Sequence, residues 1–352
     1  MLPARLDPIA DELRNTRRMS RFALGLALAA LVVLTPASAR QTAPDGRSIR
    51  LGGTPLELVG TRDSLWVLTC DRRCSGEARR SVGRIVRIDS REGRVVASVV
   101  LNRPHALAVG ANGVYALDFW RDTVRRLDPV TLRTTAMLTL VLPFEVVPGD
   151  DAFLPFDVAV GENAVWVATV RGALARLDLR LSRVLAMVSL PGKATGEIAV
   201  GGGGVWVAES LLGVYRIDPM TNRVVARIRI GPPAGRFAVD KPVLAVARVF
   251  AVGSWTRGDV LTGERGLARI DPQRNRVEST KPLPSGPLAI ASGQGSLWVA
   301  RAGGSLVERI DAATGKITGR FRAAAGVALA IAGNHVWAAT EDGTIRQIAT
   351  TP

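Results

Sequence analysis

Only two histidines stand in the 352 residues, His105 and His335, so imidazole chemistry has at most two places to occur. His105 follows Arg103-Pro104 and opens an apolar run. An imidazole there could serve as a general base near neutral pH, with Glu197 as its acid partner. His335 lies two residues before Trp337, and its surroundings predict a tight turn. Cys70 and Cys74 are the only cysteines and spell C-x3-C, which predicts a small local disulfide around Asp71-Arg72-Arg73 in an oxidising compartment. A redox centre would want C-x-x-C, and a zinc site needs two more good ligands than this pair supplies. No G-x-S-x-G and no G-x-x-x-x-G-K-[ST] occurs. Gly201 to Gly204 separate two short apolar runs and read as a hairpin turn, not a dinucleotide loop. Arg257-Gly258-Asp259 spells an adhesion tripeptide but stands alone in an insertion. These residues imply no cofactor.

The elements that position them are clearest from Glu197 to Gly231. Glu197 to Val200 and Val205 to Glu209 are apolar β-rich runs, whereas Val214 to Asp218 and Arg223 to Ile230 alternate apolar with polar as half-buried strands do. Pro219-Met-Thr-Asn222 is turn chemistry: the Asp218 carboxylate accepts backbone N–H groups ahead of it, and Asn222 tolerates positive φ. About forty residues therefore make one four-stranded meander, and the chain repeats it. Val-Trp-Val-Ala or a close variant recurs at Trp66, Tyr115, Trp166, Trp206, Phe250, Trp298 and Trp337. An Asp ending the third strand recurs at 89, 128, 178, 218, 271 and 311. The wider intervals hold insertions at Leu142 to Leu154 and Ser254 to Arg265.

Four strands per unit at this period predict an all-β, seven-bladed β-propeller with four-stranded blades. The blades cover about 54–101, 102–148, 153–191, 194–231, 234–282, 285–321, and 324–352 plus 47–53. The last unit lacks a fourth strand, and the orphan Arg47 to Gly53 matches one, so an N-terminal strand closes the ring and leaves no ragged edge. The repeated Trp fill space between blades, and the repeated Asp are turn residues, not catalytic carboxylates. The fold is one domain, residues 40–352, expected to be monomeric.

Residues 1–39 read as a targeting segment: Arg14, Arg17, Arg18 and Arg21, an apolar run from Phe22 to Leu34 too short for an ordinary membrane span, then Ala37-Ser38-Ala39. Cleavage would leave Arg40 first and a net charge of +13, against +15 for the whole chain; an uncleaved anchor is the alternative. Either places the bulk of the chain outside the cytoplasm. Four of the 46 basic residues are lysine and the rest arginine, spread along strand faces without a run of five, which reads as a soluble positive surface and makes nucleic acid an unlikely partner.

The unit A-V-G-x-G-x-V-W-V-A followed by R-I-D-P-x-T-N-R-V-V-A-x-I resembles the secreted bacterial propellers of the YVTN and streptogramin-lyase-like group, over about residues 48–350. That resemblance implies a seven-bladed propeller. Its lyase members imply rim histidines and acids that open a cyclic lactone with magnesium, for which His105 and Glu197 are the matching positions. The loops between blades and after the Trp strand should share one rim, where function on such a fold resides. That rim collects Arg103, His105, Asp118, Trp120, Arg171, Glu209, Arg236, Trp255 and Arg301, with further acids Glu145, Asp150, Asp151, Asp157, Glu341 and Asp342. The expected function is a non-catalytic binding or scaffold module of the cell envelope, recognising a protein, glycan or anionic ligand. The magnesium-dependent lyase is the rival.

Overall fold

The computed structural model describes residues 46–71, 82–118, 121–140, 155–169, 172–191, 197–209, 213–230, 236–245, 248–257, 260–283, 287–301, 306–322 and 326–349. The targeting segment, Cys74, Trp120, Arg171 and the insertion Leu142 to Leu154 lie outside them. Every regular element described is a strand, and no helix among the described residues is long and apolar enough to cross a membrane.

A short strand, β1 (Ser48–Arg50), precedes the repeats. Sheet 1 runs β2 (Thr54–Gly60), β3 (Ser64–Cys70), β4 (Val82–Asp89), β5 (Arg94–Asn102), and sheet 2 runs β6 (Pro104–Gly110), β7 (Gly113–Asp118), β8 (Thr123–Leu127), β9 (Thr134–Thr139). Sheet 3 is β10 (Pro155–Gly161), β11 (Ala164–Thr169), β12 (Ala173–Leu177), β13 (Val184–Ser189). Sheet 4 is β14 (Ile198–Val200), β15 (Val205–Glu209), β16 (Gly213–Asp218), β17 (Arg223–Arg229). Sheet 5 has long strands, β18 (Arg236–Ala245), β19 (Arg248–Arg257), β20 (Val260–Asp271) and β21 (Arg276–Leu283). Sheet 6 is β22 (Pro287–Gly293), β23 (Ser296–Arg301), β24 (Leu306–Asp311), β25 (Ile317–Arg322), and sheet 7 is β26 (Gly326–Ala332), β27 (His335–Thr340), β28 (Thr344–Ile348) with β1.

The described residues thus form seven four-stranded antiparallel sheets. Their first strands neighbour one another in chain order, from β2 beside β6 through to β26, which returns beside β2. The fold is a β-propeller. β1 pairs β28 with Ile49 opposite Ile345, so the chain's beginning completes its last sheet.

Burial explains why each strand has its composition. The second strands pack on both faces, and β3, β7 and β11 are buried along their whole length, which demands the near-continuous apolar runs seen there. Each cluster of buried residues joins two neighbouring sheets: Trp166 meets Val205, Val207 and Tyr215 of sheet 4, and Trp206 meets Ala268 and Ile270 of sheet 5. The turns follow the expected chemistry. Asp218 Oδ1 accepts the Met220 N–H at 2.7 Å, and Asn222 has φ 57°. At Gly201–Gly204 the two outer glycines exchange backbone hydrogen bonds while Gly202 and Gly203 take φ of 63° and 71°, the left-handed pair that a two-residue hairpin requires.

The arginines depart from the sequence reading. Those facing the repeated ring across the second and third strands are not a diffuse positive surface. Arg87, Arg176, Arg216 and Arg309 lie over Trp66, Trp166, Trp206 and Trp298, with Cζ 5.3–5.6 Å from the ring centroids. Three of these guanidinium groups then reach the last turn of the following sheet. Arg87 donates to Pro129 O at 3.1 Å, Arg176 to Asn222 Oδ1 at 3.0 Å, and Arg216 to Pro272 O at 2.6 Å and Asn275 Oδ1 at 2.9 Å. Arg269 makes the same reach to Ala313 O. A ring, a stacked cation and a neighbour's turn form one stitch between sheets. In sheet 7 the arginine position holds Gln347, bonded to His335 Nδ1 at 2.7 Å, so His335 opens a strand and does not sit in the tight turn expected of it.

One further expectation is corrected. Ser254 to Arg265 is not a loop: β19 and β20 continue as a hairpin through the pairs Ser254↔Arg265 and Arg257↔Val260. The first strand of sheet 5 runs on to Ala245, and the residue opposite Phe250 is Val243.

Candidate functional site

The candidate rim is the end where first strands begin and second strands finish. There the register repeats an irregularity that the sequence analysis missed. In β2, β6, β10, β22 and β26 pairing skips one residue near the strand start: Leu56, His105, Phe156, Leu288 and Val327 are the extra residues. Four follow a proline, at 55, 104, 155 and 287, whose missing N–H suits the first position of a strand. A bulge of this kind re-aims the side chains around it. His105 is one of these bulge residues, and its ring stands edge-on to Phe156, the equivalent residue of the next sheet, at 5.7 Å between centroids. Leu56, the equivalent on the other side, is 39% exposed. Three adjacent sheets therefore present an arc of one leucine, one histidine and one phenylalanine.

The residue after each bulge lies nine positions before the repeated ring, and it carries the rim's acids: Glu57, Asp157 and Glu197. Two of them are structural. Glu57 Oε2 accepts the Leu107 N–H of sheet 2 at 2.7 Å. Asp157 Oδ2 accepts the Ile198 N–H of sheet 4 at 2.7 Å, while its Oδ1 accepts Val158 N–H at 2.8 Å. Leu107 and Ile198 occupy the same register position in their sheets, so this contact is one device used twice. Asp157, expected as a rim acid for ligands, is buried and clamps two sheets together.

Glu197 holds the equivalent place in sheet 4, with its carbonyl accepting Ala208 N–H at 3.1 Å. The matching residue of sheet 5 is Pro242, which has no N–H. The clamp made by Glu57 and Asp157 therefore cannot form between sheets 4 and 5. His105 and Glu197 belong to sheets 2 and 4, with the whole inner strand of sheet 3 between them in the ring.

The other expected rim residues fall at this end. Asp118 closes β7 opposite Pro104 and is buried. Arg103 is half-buried with φ 53°, a conformation a non-glycine residue adopts only under local constraint. Glu209 ends β15, Arg236 starts β18, and Arg301 ends β23 opposite Pro287. Trp255 sits opposite Phe237 in the extended hairpin of sheet 5. Asp342 is held by its own turn: Thr340 and Thr344 hydroxyls donate to it at 2.5 and 3.0 Å, keeping its carboxyl at about 2, below the ordinary 3.8. Cys70, the last residue of β3, is disulfide-bonded. Among the described residues no cluster of three His, Cys, Asp or Glu could hold a metal ion. The acids were findable from their constant nine-residue spacing to the ring; the bulges, a single-residue offset, leave no such mark.

No protein-family model matches the chain, and no curated protein matches it. Solved structures do. The chain is similar to the β-propeller domain of Cps50 (Swd1) from Myceliophteria thermophila, with TM-score 0.64 and 10% identity over 87% of this chain and 99% of that one. It is similar to Kuenenia stuttgartiensis hydrazine synthase, with TM-score 0.62 and 12% identity over 89% and 100%. BamB from Moraxella catarrhalis matches with TM-score 0.54 and 14% identity over 86% and 98%. At such identities the likeness is one of fold, and it supports the propeller without supporting the YVTN or streptogramin-lyase group in particular.

Proposed function

We propose that this chain is a seven-bladed extracytoplasmic propeller that acts as a binding or scaffold module of the cell envelope, taking a protein partner on the rim formed by its bulged inner strands. One observation carries the reading: the inner-strand acids Glu57 and Asp157 are engaged on the backbone of neighbouring sheets, while the bulge positions beside them form the arc Leu56, His105, Phe156. An apolar arc with a polar margin is suited to a partner's side chains, and His105 stands edge-on to an aromatic ring there. The disulfide at Cys70 supports a location outside the reducing cytoplasm.

Two measurements test this. A photoreactive residue at Leu56 should give discrete covalent adducts in cells, whereas one at Asn334, in the turn at the opposite end, should not; equal labelling from both ends would reject the rim. Incubation with cyclic depsipeptide lactones should show no magnesium-dependent ring opening. Opening that disappears in His105→Ala would replace the binding reading with the lyase.

A further inference from the structure

The outermost strands of the sheets are not alike, and the difference identifies a second surface, distinct from the rim. A propeller's outer edges expose unpaired N–H and C=O groups that invite another strand, and charged residues usually blunt them. Sheet 4 ends in β17 with exposed Arg223, Arg227 and Arg229, and sheet 6 in β25 with exposed Arg320 and Arg322. The uncharged edges β9 and β13 are six residues each. β5 is different: nine residues, Arg94-Val-Val-Ala-Ser-Val-Val-Leu-Asn102, with no charge after its first position. Val95, Val96 and Val100 are 43%, 39% and 55% exposed. Among the described residues nothing pairs beyond β5. On the side of sheet 7 the facing outer strand, β1, is only three residues long.

We infer that β5 is a self-association edge, and that its occupant is β5 of a second copy of this chain, antiparallel about a two-fold axis through Ser98. The sequence of the strand is self-complementary in that register. Val96 faces the copy's Val100, Ala97 faces Val99, Val95 faces Leu101, and Arg94 faces Asn102, so no like charges oppose one another. The one charge, Arg94, already pairs with Glu92 in its own chain. Among the described residues each chain contributes a single edge of this length without charge, so the contact closes at two copies and does not propagate into fibres. One strand pair covers less than the roughly 1,200–2,000 Å² of a standard stable interface, so the dimer forms reversibly at micromolar concentrations and above. This departs from the monomer expected from sequence.

Sedimentation velocity of the full chain across a concentration series tests it. The wild type should pass from one to two copies, and Val96→Lys with Val100→Lys, which sets like charges against each other on both sides of the axis, should weaken the association at least tenfold while leaving the thermal transition in place. Ser98→Cys should form an intermolecular disulfide under mild oxidation; Met137→Cys, on the exposed edge of sheet 2, should not. A chain that stays single at every concentration, a dimer insensitive to the lysines, or cross-linking through position 137 instead of 98 would overturn the inference.

Discussion

Arg216 is where the inter-sheet stitch can be measured. Its guanidinium lies 5.3 Å above the buried Trp206 ring and donates through Nη1 to Pro272 O at 2.6 Å and Asn275 Oδ1 at 2.9 Å, both in the last turn of sheet 5. A hydrogen bond from a charged donor contributes about 1.5–3 kcal/mol and a cation over an indole about 0.5–2 kcal/mol. Contacts made by one group do not add in full, so Arg216→Ala should cost about 3 kcal/mol. At this chain length each kcal/mol moves the melting temperature by roughly 2 °C, giving a fall of about 6 °C. Arg216→Lys keeps the charge but loses the planar fork that spans ring and turn, and should recover less than half of the loss. Arg227, exposed and 5.6 Å over Tyr215, is the control; its alanine variant should cost under about 1 kcal/mol. Urea unfolding followed by tryptophan fluorescence reads all three variants. If Arg216→Ala and Arg227→Ala have the same midpoint, these arginines are surface charge and the stitch is wrong.

Ring closure and acid behaviour give two further expectations. Removing residues 40–54 deletes β1, exposes the edge of β28 and strips Ile49 from the apolar cluster it shares with Ile345 and Trp337, so the truncated chain should melt far lower or aggregate; an unchanged, soluble product would reject closure by the N-terminal strand. Asp342 titrates at about 2 in the folded chain, below its ordinary 3.8, because the Thr340 and Thr344 side chains donate to its ionised form. A depressed folded value means its stabilisation is complete above the unfolded value and is lost as pH falls from about 3.8 toward 2. Asp89, Asp128, Asp218 and Asp311 are lowered in the same direction by donors two or three residues ahead, so each adds to the loss of stability in acid. Asp342→Asn should flatten part of this drop, and a curve parallel to wild type would show that the turn makes no such contribution.

What could be read from the sequence was whatever repeats at fixed spacing and is decided locally. Asp218 accepts nearby backbone donors, Asn222 takes a left-handed conformation, and the Val-Trp-Val-Ala run must be buried on both faces; each follows from its own few residues. The pairing of Ile49 with Ile345 was legible because the last unit lacks a strand that the first segment resembles. The destination of Arg216 was not, since its partner Asn275 lies 59 residues on and an alternating arginine looks the same whether it faces water or a neighbouring turn. The bulge that sets His105 beside Phe156 was hidden for another reason: it shifts pairing by one residue without changing composition. The insertion at Ser254 to Arg265 read as a loop because it breaks the forty-residue period, although Ser254, Thr256 and Arg257 pair with Arg265, Leu261 and Val260.

In a repeat fold, a position filled alike in every sheet serves the ring, so places where one sheet abandons the common solution separate scaffold from function. Sheet 7 abandons the arginine stitch at Gln347, and the reason is structural. Gln347 N–H donates to Arg47 O at 2.8 Å, and a Cβ added to Gly93 would lie 2.7 Å from Arg47 Cδ and 3.6 Å from Trp337, so the incoming N-terminal segment brings an arginine to the same space between ring and turn. The second break lies at the junction of sheets 4 and 5. Two sheets place an acid nine residues before the ring and use it on the next strand's amide; sheet 4 keeps the acid, while sheet 5 withdraws the amide by placing Pro242 there. A proline has no N–H, so the contact that Glu57 and Asp157 make on the next sheet is replaced at this one junction.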